Sequence, residues 1–255
     1  MKPERKSRFL MLYGLVVAFG IAVVALALYR VIEHEIPAIW ILLALLAGIA
    51  GSFSLKIPGI NGRVSAGDTI TCLSILMFGP CSGALTAAID AVVGSMRCKT
   101  SSRRLQFALY NCSNSALSAF LVGELLVRLP GRPVTPHQIV PSASLLLALC
   151  LMAALYFLIN TTLVAAAAAV EKSLNFFQVW QRGFMWTCAN YVVGAFVAGV
   201  LAQIAGSLSP AKFIAILFTC AAVYISCRAY VGLAQRLENQ GKAQSVTQVA
   251  SGCAS

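Results

Sequence analysis

The chain has 255 residues, of which 59% are hydrophobic and 11% charged, with a mean hydropathy of +0.84. A soluble domain is about half apolar and about a quarter charged, so this balance excludes a soluble enzyme, a disordered chain and a secreted disulfide scaffold. The formal charge of +11 would suit nucleic acid in a soluble protein; in a membrane chain it marks topology.

A bilayer core takes about 20 apolar residues per helix, and eight runs approach that length. The first covers residues 9–29, behind a basic start at 1–8. A secretory signal core is about 7–15 residues; this run is longer and more spans follow, so it reads as a retained anchor. The second covers 37–54. The third and fourth share 64–96 and are divided by Gly79-Pro80. Each is short, reaching about 23 Å at roughly 1.5 Å per residue. Two crossings are the preferred reading, with a buried re-entrant hairpin as the rival. The fifth run covers 105–127, the sixth 143–170, the seventh 183–204 and the eighth 211–227. Residues 9–228 thus form one all-α polytopic transmembrane bundle of about eight spans. Residues 229–255 follow as a cytoplasmic tail, helical at its start and disordered beyond.

The Lys and Arg residues give the orientation, because cytoplasmic loops carry their excess. With the N-terminus inside, Lys2, Arg5, Lys6, Arg8, Lys56, Arg63, Arg97, Lys99, Arg103, Arg104, Lys172, Arg182, Arg228, Arg236 and Lys242 lie on the cytoplasmic side. Arg30, Arg128, Arg132 and Lys212 lie outside, a division of 15 to 4. Both termini are then cytoplasmic. The basic loop at 97–104 lacks interleaved aromatics and joins two spans. It suits anionic headgroups rather than nucleic acid.

Polar residues within the spans are the functional candidates, since an ionisable group in the membrane is costly. Asp68 lies near the start of the third run, where an ion pair with nearby basic residues is the alternative role. Asp90 lies deeper, in the fourth. Gly83, Ala87, Ala91 and Ser95 form a small-residue stripe beside it, which lets helices approach closely and turns Asp90 inward. There it either contacts a ligand, ion or proton, or makes a structural bond. Glu124 precedes Arg128 by four residues, a helical ion-pair spacing. Asn111, Asn114 and Ser118 share one face of the fifth span. Asn160-Thr161-Thr162 sits in the middle of the sixth, and Trp186, Asn190 and Tyr191 in the seventh. Single asparagines are explained by helix-to-helix hydrogen bonds; polar groups on four spans suggest a shared polar cavity. The ligand-binding candidates are Asp68, Asp90, Asn111, Asn114, Asn160, Thr161 and Asn190.

No catalytic, metal or cofactor motif accompanies them. GxxxxGK[ST], HExxH and GxSxG are absent, as is the ring of His and carboxylates that metal-assisted hydrolysis requires. His34 and His137 fall in outer loops. The nine cysteines include no CxxC pair and read as small hydrophobes within helices. The expectation is a non-enzyme with no cofactor.

Several short pieces share a pattern. They are Lys56-Ile57-Pro58-Gly59, Gly62-Arg63-Val64-Ser65, the Leu76–Gly79 turn with Pro80, and the basic loop leading to Leu105-Gln106-Phe107-Ala108-Leu109-Tyr110-Asn111. Ser113, Ser115, Ala116 and Ser118 follow, and later Tyr156-Phe157-Leu158-Ile159-Asn160-Thr161. Across residues 40–230 this resembles the membrane-embedded sensory region of bacterial signalling proteins. In those proteins it precedes an HD-GYP phosphodiesterase, a GGDEF cyclase or a kinase. The resemblance implies a sensory module of the bacterial inner membrane, with Asn111 and Asn160 at matched polar positions. No HD, GYP, GGDEF or kinase motif occurs in the chain, so cyclic-nucleotide chemistry is not carried over. The expected partners are the lipid bilayer, a small polar ligand and a separate cytoplasmic output-domain protein. The alternative is the substrate-binding membrane subunit of a vitamin-type importer, partnered by an energising complex.

Overall fold

The computed structural model describes residues 3–33, 38–52, 55–56, 63–64, 67–96, 104–129 and 143–207, with 211, 214 and 216. The chain divides into two units, Met1–Leu208 and Ser209–Ser255. In the second, the three described residues are helical. The rest of the eighth run and the tail at 229–255 lie outside the described residues, as do both histidines.

The described residues of the first unit are helical apart from one two-residue β ladder and short turns. Its helices are α1 (Pro3–Glu33), α2 (Ala38–Gly51), α3 (Gly67–Phe78), α4 (Pro80–Met96), α5 (Arg104–Arg128), α6 (Ala143–Lys172), α7 (Phe176–Phe184) and α8 (Cys188–Ser207). The strands β1 (Leu55–Lys56) and β2 (Arg63–Val64) pair antiparallel, Leu55 opposite Val64. Ser7–Glu33, Ser144–Lys172 and Cys188–Ala205 are long and apolar enough to cross a membrane; α2 and α3 are shorter apolar helices.

Helix ends follow local chemistry. Pro3 opens α1, where its missing N–H costs nothing. Gly79 adopts φ +86°, a region open chiefly to glycine, and Pro80 starts the next helix with its φ already set. The pair therefore folds α3 and α4 into a hairpin. Ser173, at φ +61°, ends α6. The Leu174 N–H then bonds back to the Ala169 carbonyl at 3.0 Å, the Schellman pattern.

The bundle is built around α4, which packs on α5, α2, α3 and α1. The α3 helix lies between α8, α4 and α2, and α6 contacts α8, α5, α7 and α1. Small residues set the close crossings. At Gly20 of α1 a Cβ would fall on the Ser113 backbone of α5, and at Gly83 it would strike Ile75. Such contacts suit helices that associate by packing in lipid rather than by hydrophobic burial.

Apolar side chains fill the core, such as Leu43, Leu73 and Met152, but large ones also cover the outside, and polar ones are buried among the core. Leu10, Met11, Leu15, Phe19 and Ile21 on α1, Leu45 on α2, Leu146 and Leu147 on α6, and Val193 and Val200 on α8 are exposed. Asp68, Thr71, Ser74, Ser82, Thr86, Asp90, Ser95, Ser113, Asn114, Ser118, Thr161 and Thr187 are buried. Exposed apolar surface on this scale marks a membrane-facing exterior. Together with the three long apolar helices, it supports a membrane protein.

Candidate functional site

The buried polar residues fall into three groups. The first surrounds Asp68, the second residue of α3. Its carboxylate accepts a hydrogen bond from Tyr156 of α6 and lies close enough to Asp90 of α4 for the two to interact as like charges. Glycines make the approach possible. A Cβ at Gly67, the first residue of α3, would collide with the Asp90 carboxylate. One at Gly51, the last residue of α2, would lie 2.6 Å from the Asp90 carbonyl oxygen and 2.7 Å from its Oδ1. Asp90 thus sits where α2 ends and α3 begins. The positive end of α3 favours a carboxylate there and the negative end of α2 opposes it.

From Asp68 the group extends through Tyr156 to Tyr191 of α8, the two rings meeting edge-on. The Asn160 amide of α6 donates to the Tyr191 hydroxyl at 2.8 Å. The Asn114 amide of α5 donates in turn to the Asn160 backbone carbonyl at 3.2 Å and to its side-chain oxygen. Five helices, α3 to α6 and α8, therefore contribute to one buried group. Two of its buried atoms have no hydrogen-bond partner among the described residues: Asn114 Oδ1, and Thr71 Oγ1 one turn along α3 from Asp68. Each belongs to a side chain only 1% exposed.

The second group joins α7 to α6. Trp180 Nε1 donates to Thr161 Oγ1 at 2.9 Å, and that hydroxyl donates to the Phe157 carbonyl at 2.6 Å. The Trp180 ring lies 5.8 Å from Phe157, and Phe157 lies 5.6 Å from Tyr191. Tyr156 meets Tyr191 edge-on at 5.4 Å. The two groups thus share one aromatic seam.

The third group is structural. Trp40 Nε1 reaches the Ser82 carbonyl at 3.2 Å and Thr86 Oγ1 at 3.2 Å, while Thr86 Oγ1 lies 3.0 Å from Ser74 Oγ. These bonds tie α2, α3 and α4 together. Asn111 donates to Ser95 Oγ at 3.0 Å, joining α5 to α4. At the far end of α5, Glu124 pairs with Arg128 at 2.8 Å. Arg128 is largely exposed, so that pair contributes little.

The structure therefore places four of the seven sequence candidates, Asp68, Asp90, Asn114 and Asn160, in one group. Thr161 lies in the adjoining group. Asn111 is turned to α4, and Asn190 is exposed. The residues that sequence reasoning undervalued are Tyr156, Tyr191 and Trp180. For Tyr191 a signal was present: Thr187, Tyr191, Ala195, Ala198 and Ala202 are all buried and repeat at spacings of four, four, three and four, the helical inward face. Asn190 is off that stripe. Among the described residues no three His, Cys, Asp or Glu side chains converge as metal ligands. The chemistry on offer is hydrogen bonding by hydroxyls, amides and carboxylates in a setting of low dielectric, where each bond gains strength. Comparison with protein-family models, with curated proteins and with solved structures finds no match.

Proposed function

We propose that this chain is a multi-pass protein of about eight spans in the bacterial cytoplasmic membrane, with both termini inside. It acts there as a non-catalytic sensory or ligand-binding module. The Asp68, Asn114, Asn160, Tyr156 and Tyr191 group takes a small polar ligand, and the protein passes its state to a separate cytoplasmic partner. One observation carries this reading. A buried polar group drawn from five helices leaves two hydrogen-bonding atoms, Asn114 Oδ1 and Thr71 Oγ1, without partners. Leaving a buried polar atom unsatisfied costs about 1–3 kcal/mol, which a ligand would recover.

The 15 to 4 division of basic residues supports the orientation. At 12 residues, or about 18 Å, α3 is short for a crossing, so the third and fourth spans cross by tilting or by thinning the bilayer around them. Signalling then follows as a population shift. A ligand that binds one packing of α3, α6 and α8 more tightly than another moves the balance by that difference in affinity.

The test is native mass spectrometry of gently purified protein, with Asn160→Leu and Asp68→Asn beside the wild type. A small-molecule adduct present in the wild type and lost in both variants is the expected result. Wild-type protein without any adduct, in every mild detergent tried, overturns the ligand reading. Solute uptake by cells that depends on Asp68 and Asn160 would transfer the site to the importer alternative.

A further inference from the structure

The nine residues of α7 stand between two long helices of 30 and 20 residues. At 100° per residue, Phe176, Phe177, Val179, Trp180, Gly183 and Phe184 occupy one arc of the helix. Gln178, Gln181 and Arg182 occupy the other. The apolar arc is only partly used by the protein. Val179, Gly183 and Phe184 are buried, whereas Phe176 is 40% exposed and Phe177 59%. Leu174 just before the helix and Met185 just after it are exposed as well. Lys172 and Arg182, both exposed, flank this apolar surface.

The helix is firmly started and firmly held. Asn175 Oδ1 caps its N-terminus, accepting from the Phe177 N–H at 2.9 Å and the Gln178 N–H at 3.4 Å. Trp180 fixes it to α6 through Thr161. A short helix with divided faces, aromatics beside the bundle and cations at its margins has the form of a helix lying in a membrane surface. The helices on either side of it, α6 and α8, also carry exposed apolar residues, among them Leu158 and Val193.

We propose that α7 lies in the plane of the bilayer, at the boundary between headgroups and acyl chains, with phospholipid as its partner. Phe176 and Phe177 enter the acyl region, and Lys172 and Arg182 meet the phosphates. Gln178 and Gln181 face water. The proposal rests on the membrane part of the reading above, but not on the ligand. It adds a physical connection. A displacement of α7 acts on Trp180, and through Phe157 and Tyr191 it reaches the bond to Asn160. The bilayer surface is thereby joined to the polar group.

The test uses full-length protein in vesicles of phosphatidylethanolamine and phosphatidylglycerol. The photoreactive residue p-benzoylphenylalanine replaces Phe177, Gln178 or, on the exposed flank of α6, Leu147. After illumination, phospholipid adducts are quantified by mass spectrometry. Adducts at Phe177 and Leu147, several-fold more abundant than at Gln178, are expected. Adducts at Leu147 but none at Phe177 overturn the placement of α7 and leave the membrane reading intact. So does a protein-to-protein crosslink at Phe177 in place of lipid, which would mean a second copy or a partner chain covers the helix. Equal lipid yields at Phe177 and Gln178 overturn the in-plane orientation. No lipid adduct at any position overturns the membrane reading itself.

Discussion

The side-chain amide of Asn160 donates to the Tyr191 hydroxyl at 2.8 Å, joining the middle of α6 to the first turn of α8. The side-chain oxygen of the same asparagine accepts from the Asn114 amide, so one side chain holds three helices. Its position in the chain gives no hint of Tyr191, 31 residues away.

Thermodynamic coupling across that bond is the first prediction. Hydrogen bonds between membrane helices average about 0.6 kcal/mol and reach about 1.7. Tyr191→Phe should cost about 0.6 kcal/mol, since the ring contacts with Tyr156 and Phe157 remain. Asn160→Ala removes two side-chain bonds and should cost about 1–2 kcal/mol. The double variant should fall short of the sum by about 0.5 kcal/mol or more. Reversible unfolding in mixed micelles measures all three; strictly additive costs would deny the bond any weight.

Stability and ligand retention should separate at Asn114. Its Oδ1 is buried without a partner, and its amide makes bonds to Asn160. Asn114→Leu keeps the branched shape and removes the bonds and the unsatisfied oxygen, but it leaves the Asn160 side-chain oxygen without its donor. The two effects oppose, because each unsatisfied group costs about 1–3 kcal/mol and one is removed as another is made. The melting midpoint of the ligand-free protein should therefore change little, while any ligand found on the wild type should be lost. A large drop in stability together with full retention would assign Asn114 a structural role alone.

The sequence carries the outline of this fold better than its interior. The breaker at Gly79-Pro80 locates the α3–α4 hairpin because its cause is local: a positive φ at Gly79 and a fixed φ at Pro80. The helices α1, α5 and α6 extend their apolar runs by up to six residues into polar flanks such as Arg104, Arg128 and Lys172, which helical geometry tolerates and hydropathy does not count. The α7 helix is missed because nine residues are too few for a span. The seventh run begins at Gly183, whereas α8 begins at Cys188. Side-chain direction is the other shortfall. Polar residue type selected Asn190 and Asn111 along with Asn114 and Asn160, but rotation about the helix axis turns Asn190 outward and Asn111 toward Ser95. The phenols of Tyr156 and Tyr191 were undervalued because tyrosine in an apolar run is as readily a packing residue.

Two glycines on α1 make a matched test of lipid-type packing. At Gly20 a Cβ would fall on the Ser113 backbone, while at Gly14 it would meet nothing within 4 Å. Gly20→Ala should force α1 away from α5 and cost about 1–3 kcal/mol, as overpacking does. Gly14→Ala should be neutral or stabilise by up to about 1 kcal/mol through helix propensity. Thermal melts of the two variants decide; equal effects would contradict the α1–α5 crossing.

Gly67 and Asp90 supply the last prediction. A Cβ on Gly67 would occupy the position of the Asp90 carboxylate, so Gly67→Ala must displace either that carboxylate or the start of α3. A cost of about 1–3 kcal/mol is expected. Asp90→Ala alone loses the favourable end of α3 and is relieved of the opposing end of α2, each about 0.3–2 kcal/mol, so its own cost should be small. Combined with Gly67→Ala, however, it removes the very group that the new methyl strikes. The double variant should therefore be more stable than the sum of the single losses predicts, by about 1 kcal/mol or more. Asp90→Asn, which keeps the shape and drops the charge, should give no such relief with Gly67→Ala. Unfolding of the five variants and the wild type in one detergent separates these outcomes. Additive losses in both double variants would mean that Asp90 does not rest on the first residue of α3.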